Sequence, residues 1–249
     1  MAESSETEQF YRRLFTTNPS WSTPHPNMEE ARRAAKVLPL LTRVAREAGP
    51  PEGLRILDLG CGRGWLTYIA DAYGECVGVD PIAPVVEFAR EQYPGLTFEV
   101  GSTSELLAAG RAGTYDVVLA SEVIEHVAPA ECERFVADIA ELLVPSGAAI
   151  VTTDRGELHG RWVRRENTTE QPEENWFTER QLCDLFEGAG FVVAERDRAY
   201  YEVPELSVFH RVVASTRFAN LLAAGRQEWL LHGLRHLAAN CQVWLFRRG

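Results

Sequence analysis

The chain has one lysine, Lys36, so its cationic side chains are almost all arginine. Together with the alanine content, that shortage reads as a GC-rich coding bias and carries no functional meaning. Positive charge is scarce altogether: 25 Lys and Arg stand against 36 Asp and Glu, a formal net charge of −11. Such an acidic balance argues against nucleic acid or an anionic membrane as a partner, leaving room only for a local basic patch. The five cysteines, Cys61, Cys76, Cys132, Cys183 and Cys241, are odd in number, widely spaced and without a C-x-x-C pair. They supply neither a disulfide framework nor a structural zinc site, and they fit a reducing compartment. No stretch approaches transmembrane length, and the acidic segment Met1 to Glu8 has no apolar h-region. A cytoplasmic location is therefore expected. A Gly-x-Ser-x-Gly elbow, a Walker loop and an H-E-x-x-H pair are all missing.

What is present suits one globular domain with an appended cap. At 249 residues, 45% hydrophobic and 24% charged, the chain is long enough to bury a full sheet with helices on both faces. The organising stretch is Ile56-Leu57-Asp58-Leu59-Gly60-Cys61-Gly62-Arg63-Gly64-Trp65. The apolar run from Leu54 to Leu59 reads as a buried strand, and Leu66, Ile69, Ala70 and Tyr73 read as the helix beyond it. A strand, a glycine turn and a helix leave backbone N–H groups facing a crevice at the strand's carboxyl end, where open α/β sheets bind nucleotides. A dinucleotide fingerprint would place its third glycine where Trp65 stands; here it falls at Gly64. Asp58 would sit poorly beside a pyrophosphate. It suits a phosphate-free ligand that carries an ammonium and a sulfonium, which describes S-adenosylmethionine.

In chain order, residues 1–50 read as an N-terminal helical cap or lid. Phe10, Tyr11, Leu14 and Phe15 fall at helical spacing, a proline-rich loop with Trp21 follows, and a helix is expected over Met28–Ala48. Residues 51–249 alternate strand and helix, which implies a doubly wound, mostly parallel sheet. Strands are expected at 54–59, 76–79, 97–100, 115–120, 148–152, 191–195 and 242–246. Helices are expected at 84–92, 130–143 and 179–187, with a helical region from about 206 to 237. Two polar, aromatic connections, 154–175 and 197–215, are long for a compact domain, and connections of that kind are often functional. They are read as acceptor-site insertions, with Trp162, Trp176, Tyr200 and Tyr201 as candidate pocket walls.

Together these landmarks resemble a class I S-adenosylmethionine-dependent methyltransferase. The resemblance is strongest from Ile56 to Val127, where Ser121-Glu122-Val123-Ile124-Glu125-His126-Val127 resembles the segment of the ubiquinone-pathway O-methyltransferase branch and its small-molecule relatives. It implies a seven-stranded Rossmann-like fold and methyl transfer to an oxygen or nitrogen of a small molecule, in a secondary-metabolism setting. It implies cofactor contacts from Asp58, Gly60, Cys61, Gly62 and Gly64, ribose contacts from Asp80, and adenine contacts from Pro81 and Ile82. Ser102 and Thr103 stand where the family usually reads Asp-Ala, and Ser121 and Glu122 end the fourth strand beside the methyl donor. Arg32 or Arg33 is the candidate partner of the cofactor carboxylate.

On a helical turn Glu122, Glu125 and His126 would share one face. Two carboxylates and an imidazole suit a divalent cation, completed from His159, Glu170, Glu173 or Glu174, or else His126 as general base oriented by Glu125. The weight falls on the base; a divalent cation is the lesser reading. His210, His232 and His236 are read as helix residues without chemistry. RNA 2′-O-methylation, disfavoured by the acidic balance, and a non-catalytic cofactor-binding role are the alternatives. A homodimer is compatible with everything above.

Overall fold

Ile56 and Leu57 are adjacent in sequence and both fully buried, yet they belong to separate cores on opposite faces of one sheet. That arrangement requires a strand covered on both sides, and the computed structural model of the chain shows it. The structure describes residues 6–18, 22–49, 53–158, 175–200 and 208–249. Trp21, His159, Trp162, Glu170, Glu173, Glu174 and Tyr201 lie outside the described residues, as does most of the 154–175 connection.

Seven strands form the sheet: β1 (Leu54–Leu59), β2 (Gly74–Asp80), β3 (Thr97–Val100), β4 (Tyr115–Ser121), β5 (Leu143–Asp154), β6 (Phe191–Ala199) and β7 (Cys241–Arg248). Their order is β3-β2-β1-β4-β5-β7-β6. The β1–β5 pairings are parallel, and β7 runs antiparallel to both of its neighbours. This is the doubly wound, mostly parallel arrangement expected from the sequence.

The described helices are α1 (Glu6–Thr17), α2 (Met28–Ala48), α3 (Trp65–Ala70), α4 (Ala83–Gln92), α5 (Thr103–Ala108) and α6 (Cys132–Leu142), then α7 (Glu179–Gly188), α8 (Val208–Ala214), α9 (Thr216–Ala224) and α10 (Glu228–Ala238). Period-2 alternation along the strands sorts side chains between the two helical layers. On one face Ile56, Leu119, Ile150 and Leu245 pack against Val37, Leu40, Leu41 and Val44 of α2. On the other, Leu57, Val118, Val151 and Phe246 meet Leu106 of α5, Ile139 of α6 and Phe186 of α7. The long N-terminal helix is thus a layer of the sheet domain and shares its core. At the ligand side it is α1, through Tyr11 and Leu14, and the first turns of α2, through Glu29, Glu30 and Arg33, that line the cavity.

Three local features differ from expectation for identifiable reasons. Helix α5 was not anticipated from apolar spacing. Its start is a capping box, Ser102 with Glu105, a signal written in the sequence as Ser-x-x-Glu. Strand β5, expected over 148–152, begins earlier, at Leu143, and runs through Pro145-Ser146-Gly147. Tyr115 pairs with Leu143 and Val117 with Ala148, so this stretch is a bulge carried inside β5. The expected helix at 130–143 begins at Cys132, after a single 3₁₀ turn at Pro129–Glu131.

Phe186 has no exposed surface, stacks on Phe246 at 4.2 Å between ring centroids and also touches Phe191. Truncation here empties the α7 layer. Phe186→Ala should cost about 3–5 kcal/mol of stability, read as a lowered denaturant midpoint at unchanged slope.

Candidate functional site

The carboxyl ends of β1, β2, β4 and β5 converge on one edge of the sheet, and a cavity of about 370 Å³ opens there. Its floor is the turn after β1. Gly60, Gly62 and Gly64 have φ of 64°, 51° and 83°, the left-handed region that glycine enters freely. At Gly60 space adds to the requirement, because a Cβ would stand 2.5 Å from a methyl of Val123. The turn is tied down by Gly60 and Cys61, whose N–H groups donate to the carbonyl of Val79 at 2.8 and 3.1 Å. Gly60, Cys61 and Gly62 line the cavity. Gly64 does not; it caps α3 with its bare Cα against the Phe98 ring.

Asp80, last in β2, faces the same space. One carboxylate oxygen accepts from the N–H of Gly62 at 3.1 Å and the other from that of Ile82 at 2.9 Å. Burial pushes this carboxyl up to about 6, against which the two N–H bonds pull it down. Asp58, inside β1, accepts from the Thr67 hydroxyl at 2.7 Å. Burial raises it to about 7, and the neighbouring charge of Asp80 adds to the rise. Two desolvated carboxylates a short way apart form a site that favours a cation or a donor-rich ligand. Pro81 and Ile82 complete this side of the cavity.

The β4 edge is built differently from the single helical face expected of it. Glu122 takes a φ of 58°, and Ile124–His126 is a 3₁₀ turn. The left-handed residue swings Glu122 back toward the sheet. Its carboxylate accepts from the Thr152 hydroxyl at 2.8 Å and lies 3.4 Å from the Arg33 guanidinium. Glu125 instead accepts from the Thr153 hydroxyl at 2.9 Å. Burial, with the charges of Glu122 and Asp154 beside it, holds the Glu125 carboxyl well above the usual range. His126 lies edge-on to Tyr11 of α1, with ring centroids 5.9 Å apart. All three line the cavity, as does Ser121, but among the described residues no three His, Cys, Asp or Glu side chains form a metal-holding group.

Ser102 and Thr103 do not line this cavity. They line a second one, of about 690 Å³, which shares Tyr11, Gly60, Pro81, Val123 and His126 with the first. The Ser102 side chain caps α5, and the Thr103 hydroxyl donates to Asp138 of α6 at 2.7 Å.

Several contributors carry no motif. The Arg63 side chain leaves the glycine turn and enters the cap. It donates to the carbonyl of Thr23 at 2.8 Å and to the buried carboxylate of Glu30. Glu30 also closes the capping box of α2, accepting from the Asn27 N–H at 2.7 Å. One turn further along α2, Arg33 lines the cavity, whereas Arg32 donates to the Tyr200 carbonyl at 3.3 Å. From α1 come Tyr11 and Leu14, and from the stretch just before α7 comes Trp176. Asp154, which the sequence reading did not single out, also lines the cavity, and the signal that could have found it is its place at the end of β5, as Asp80 ends β2.

Residues 28–196 match a family model described as a methyltransferase domain. Relatives include the ubiquinone biosynthesis O-methyltransferases of Azorhizobium caulinodans, 40% identical over 114 residues, and of Caulobacter sp., 42% identical over 109 residues. These alignments cover 44% and 42% of this chain and the same shares of the relatives, so the chain spans under half the length of the curated relatives it matches. Solved structures with the same fold include the N-methyltransferase NodS from Bradyrhizobium japonicum in complex with S-adenosyl-L-homocysteine (TM-score 0.65, 14% identity, 98% of this chain and 99% of that one). The [4+2]-cyclase SpnF is similar at TM-score 0.64 and 15% identity, over 97% of this chain and 94% of that one. Likeness at such identities is one of fold, and a cyclase shares it, so chemistry has to be argued from the site. The match from Met28 to Arg196 takes in α2, the glycine turn, Asp80 and the Glu122–His126 edge, and the chain belongs to the methyltransferase domain family.

Proposed function

We propose that this protein transfers a methyl group from S-adenosylmethionine to an oxygen or nitrogen of a small molecule, in the cytoplasm. The observation that carries this reading is Asp80. Its buried carboxylate spends one lone pair of each oxygen on a backbone N–H and keeps the others toward a cavity floored by a glycine turn. That is the geometry to receive a ribose diol. Asp58 lies deeper, where an ammonium or sulfonium would relieve its desolvation, and Arg63, the cation of the turn, lines the cavity with its guanidinium bound to the Thr23 carbonyl and the Glu30 carboxylate. The cavity also has the size of a small-molecule site. These residues fit S-adenosylmethionine, which when bound supplies a methyl on an electrophilic sulfonium. Arg33 is the candidate partner for its carboxylate.

The chain's own part is to hold two reactants in line and keep water out, which supplies much of the rate in a displacement of this kind. Tyr11, Leu14 and Trp176 close the cavity from the cap and from the far connection. His126 lies where both cavities meet, and it takes the proton of an acceptor that is protonated at neutral pH. Glu125 helps to set the acceptor's position from its bond to Thr153.

Calorimetry with S-adenosylhomocysteine tests the reading directly. Asp80→Ala should weaken binding about 10–100-fold, the worth of one or two hydrogen bonds to a charged group, and Asp58→Ala should abolish it. An absence of binding to the unaltered protein defeats the proposal. Because the ligand needs both carboxylates ionised, binding between pH 6 and 7 should release protons. Affinity should fall as the pH drops through about 7 and then about 6, by up to about tenfold per pH unit for each group. Equal affinity at pH 5 and pH 8 would contradict the assignment. His126→Gln should leave that binding intact and lower turnover by about 10²–10⁴-fold.

A further inference from the structure

Four elements meet at Glu122, on the cavity edge. Its φ of 58° lies in the left-handed region, which a residue with a side chain keeps only where its surroundings impose it. Here they do. The Glu122 N–H donates to the carbonyl of Thr152 in β5 at 2.9 Å. One carboxylate oxygen accepts from the Thr152 hydroxyl at 2.8 Å and lies 3.6 Å from the thiol of Cys241 in β7, both residues being fully buried. The Ser121 hydroxyl stands 3.0 Å from that of Thr152 and extends the same network into β4. The other oxygen faces the Arg33 guanidinium of α2 at 3.4 Å. One end of this carboxylate is thus fixed to the sheet, and the other reaches across to the helix.

Arg33 is nine-tenths withdrawn from water and cannot shed its proton, so its guanidinium needs carboxylate partners to stay where it is. The side chain is long, and without a fixed partner it would sample other carboxylates of the cavity wall. Glu29 and Glu30 stand one turn back on the same helix. A guanidinium has five N–H donors in a planar fork, so one carboxylate does not exhaust it and a second can be received beside the first. We propose that Glu122 is a positioning residue: it holds the Arg33 guanidinium at the cavity wall, where that group receives the carboxylate of the cofactor. This rests on the cofactor reading above and gives Glu122 a role that acts through another residue. Two effects oppose each other. The Glu122 charge repels an incoming carboxylate, whereas the pairing spares the ligand the entropy of ordering a long side chain. Burial decides for the second, because a guanidinium with little access to water has to be paired to be at the wall at all.

The test is calorimetric binding to the whole protein, with S-adenosylhomocysteine and its decarboxylated analogue as probes. Arg33→Met should weaken S-adenosylhomocysteine about tenfold or more and the analogue by less than about twofold. Glu122→Gly removes the carboxylate at a position whose φ suits glycine, so the change does not strain the backbone. It should weaken S-adenosylhomocysteine about fivefold or more, leave the analogue within about twofold, and add less than about twofold in the Arg33→Met background. Glu122→Asn, also at ease with positive φ and one methylene shorter, serves if the glycine variant does not fold. An equal loss for both probes means that Glu122 only shapes the turn, and an equal loss with and without Arg33 means that it acts elsewhere; either overturns the inference. So does unchanged or tighter binding of S-adenosylhomocysteine, which would make Glu122 a competitor of the cofactor carboxylate. Failure of S-adenosylhomocysteine to bind the unaltered protein would instead remove the reading beneath it.

Discussion

A single buried ion pair, Arg63 with Glu30, ties the parts of this molecule together. Arg63 sits among the glycines after β1, and Glu30 is in the first turn of α2, so the pair joins the ligand-facing turn to the helical piece before it. Both side chains are almost wholly withdrawn from water. Such a pair adds little or no net stability over a well-packed hydrophobic replacement, but removing one partner leaves a stranded charge, a loss of roughly 3–5 kcal/mol. What it fixes is geometry. The Glu30 carboxylate serves at once as the α2 cap and as the arginine's partner, so the direction of α2 is referred to the glycine turn. The position of Arg33 follows from that direction, and Glu122 is met by Arg33. The hydroxyl of Tyr93, at the end of α4, adds a second tie by donating to the carbonyl of Pro24.

How much of this was legible in the sequence depends on the range over which each feature acts. Strand β1 could be read residue for residue, because a strand buried on both faces is a continuous apolar run. Helix α2 could be read because its period is long and its ends carry Asn27 and Gly49. Asp80 was legible for positional reasons, since any polar residue that ends a buried parallel strand comes out at the binding edge. The Arg63–Glu30 pair was not legible. Two charges 33 positions apart have no local signature, and Arg63 inside a glycine motif reads as solvent-facing filler. The grouping of Glu122, Glu125 and His126 on one face assumed a regular helical turn. One residue with positive φ is enough to send the first carboxylate elsewhere, and φ signs at non-glycine residues are not written in composition. Ser102, placed by analogy at an adenine site, is also the N-cap of α5, a role that its local Ser-x-x-Glu pattern states.

Charge is distributed with similar economy. The protein's scarce cations are placed on particular carboxylates. Glu179, for example, takes Arg198 at 2.6 Å as well as Arg155 and Arg196, tying α7 to β6. At the cavity the same scarcity leaves carboxylates crowded in a medium that solvates them poorly. Catalytic proteins commonly retain such local discomfort where a ligand will resolve it.

The place of β7 has a consequence for the order of events during synthesis. It is the last of the seven strands in chain order, yet it lies between β5 and β6, hydrogen-bonded to both. Until it arrives, β5 presents an open edge, β6 has no partner, and Phe186 lacks the ring it stacks against. Cys241, the first residue of β7, also lies 3.6 Å from the Glu122 carboxylate. The arrival of β7 therefore supports the cavity through a lining residue, Glu122, as well as joining the two sides of the sheet. Closure of the sheet waits on its C-terminal strand, and a translation product truncated before β7 would expose a strand edge prone to aggregation.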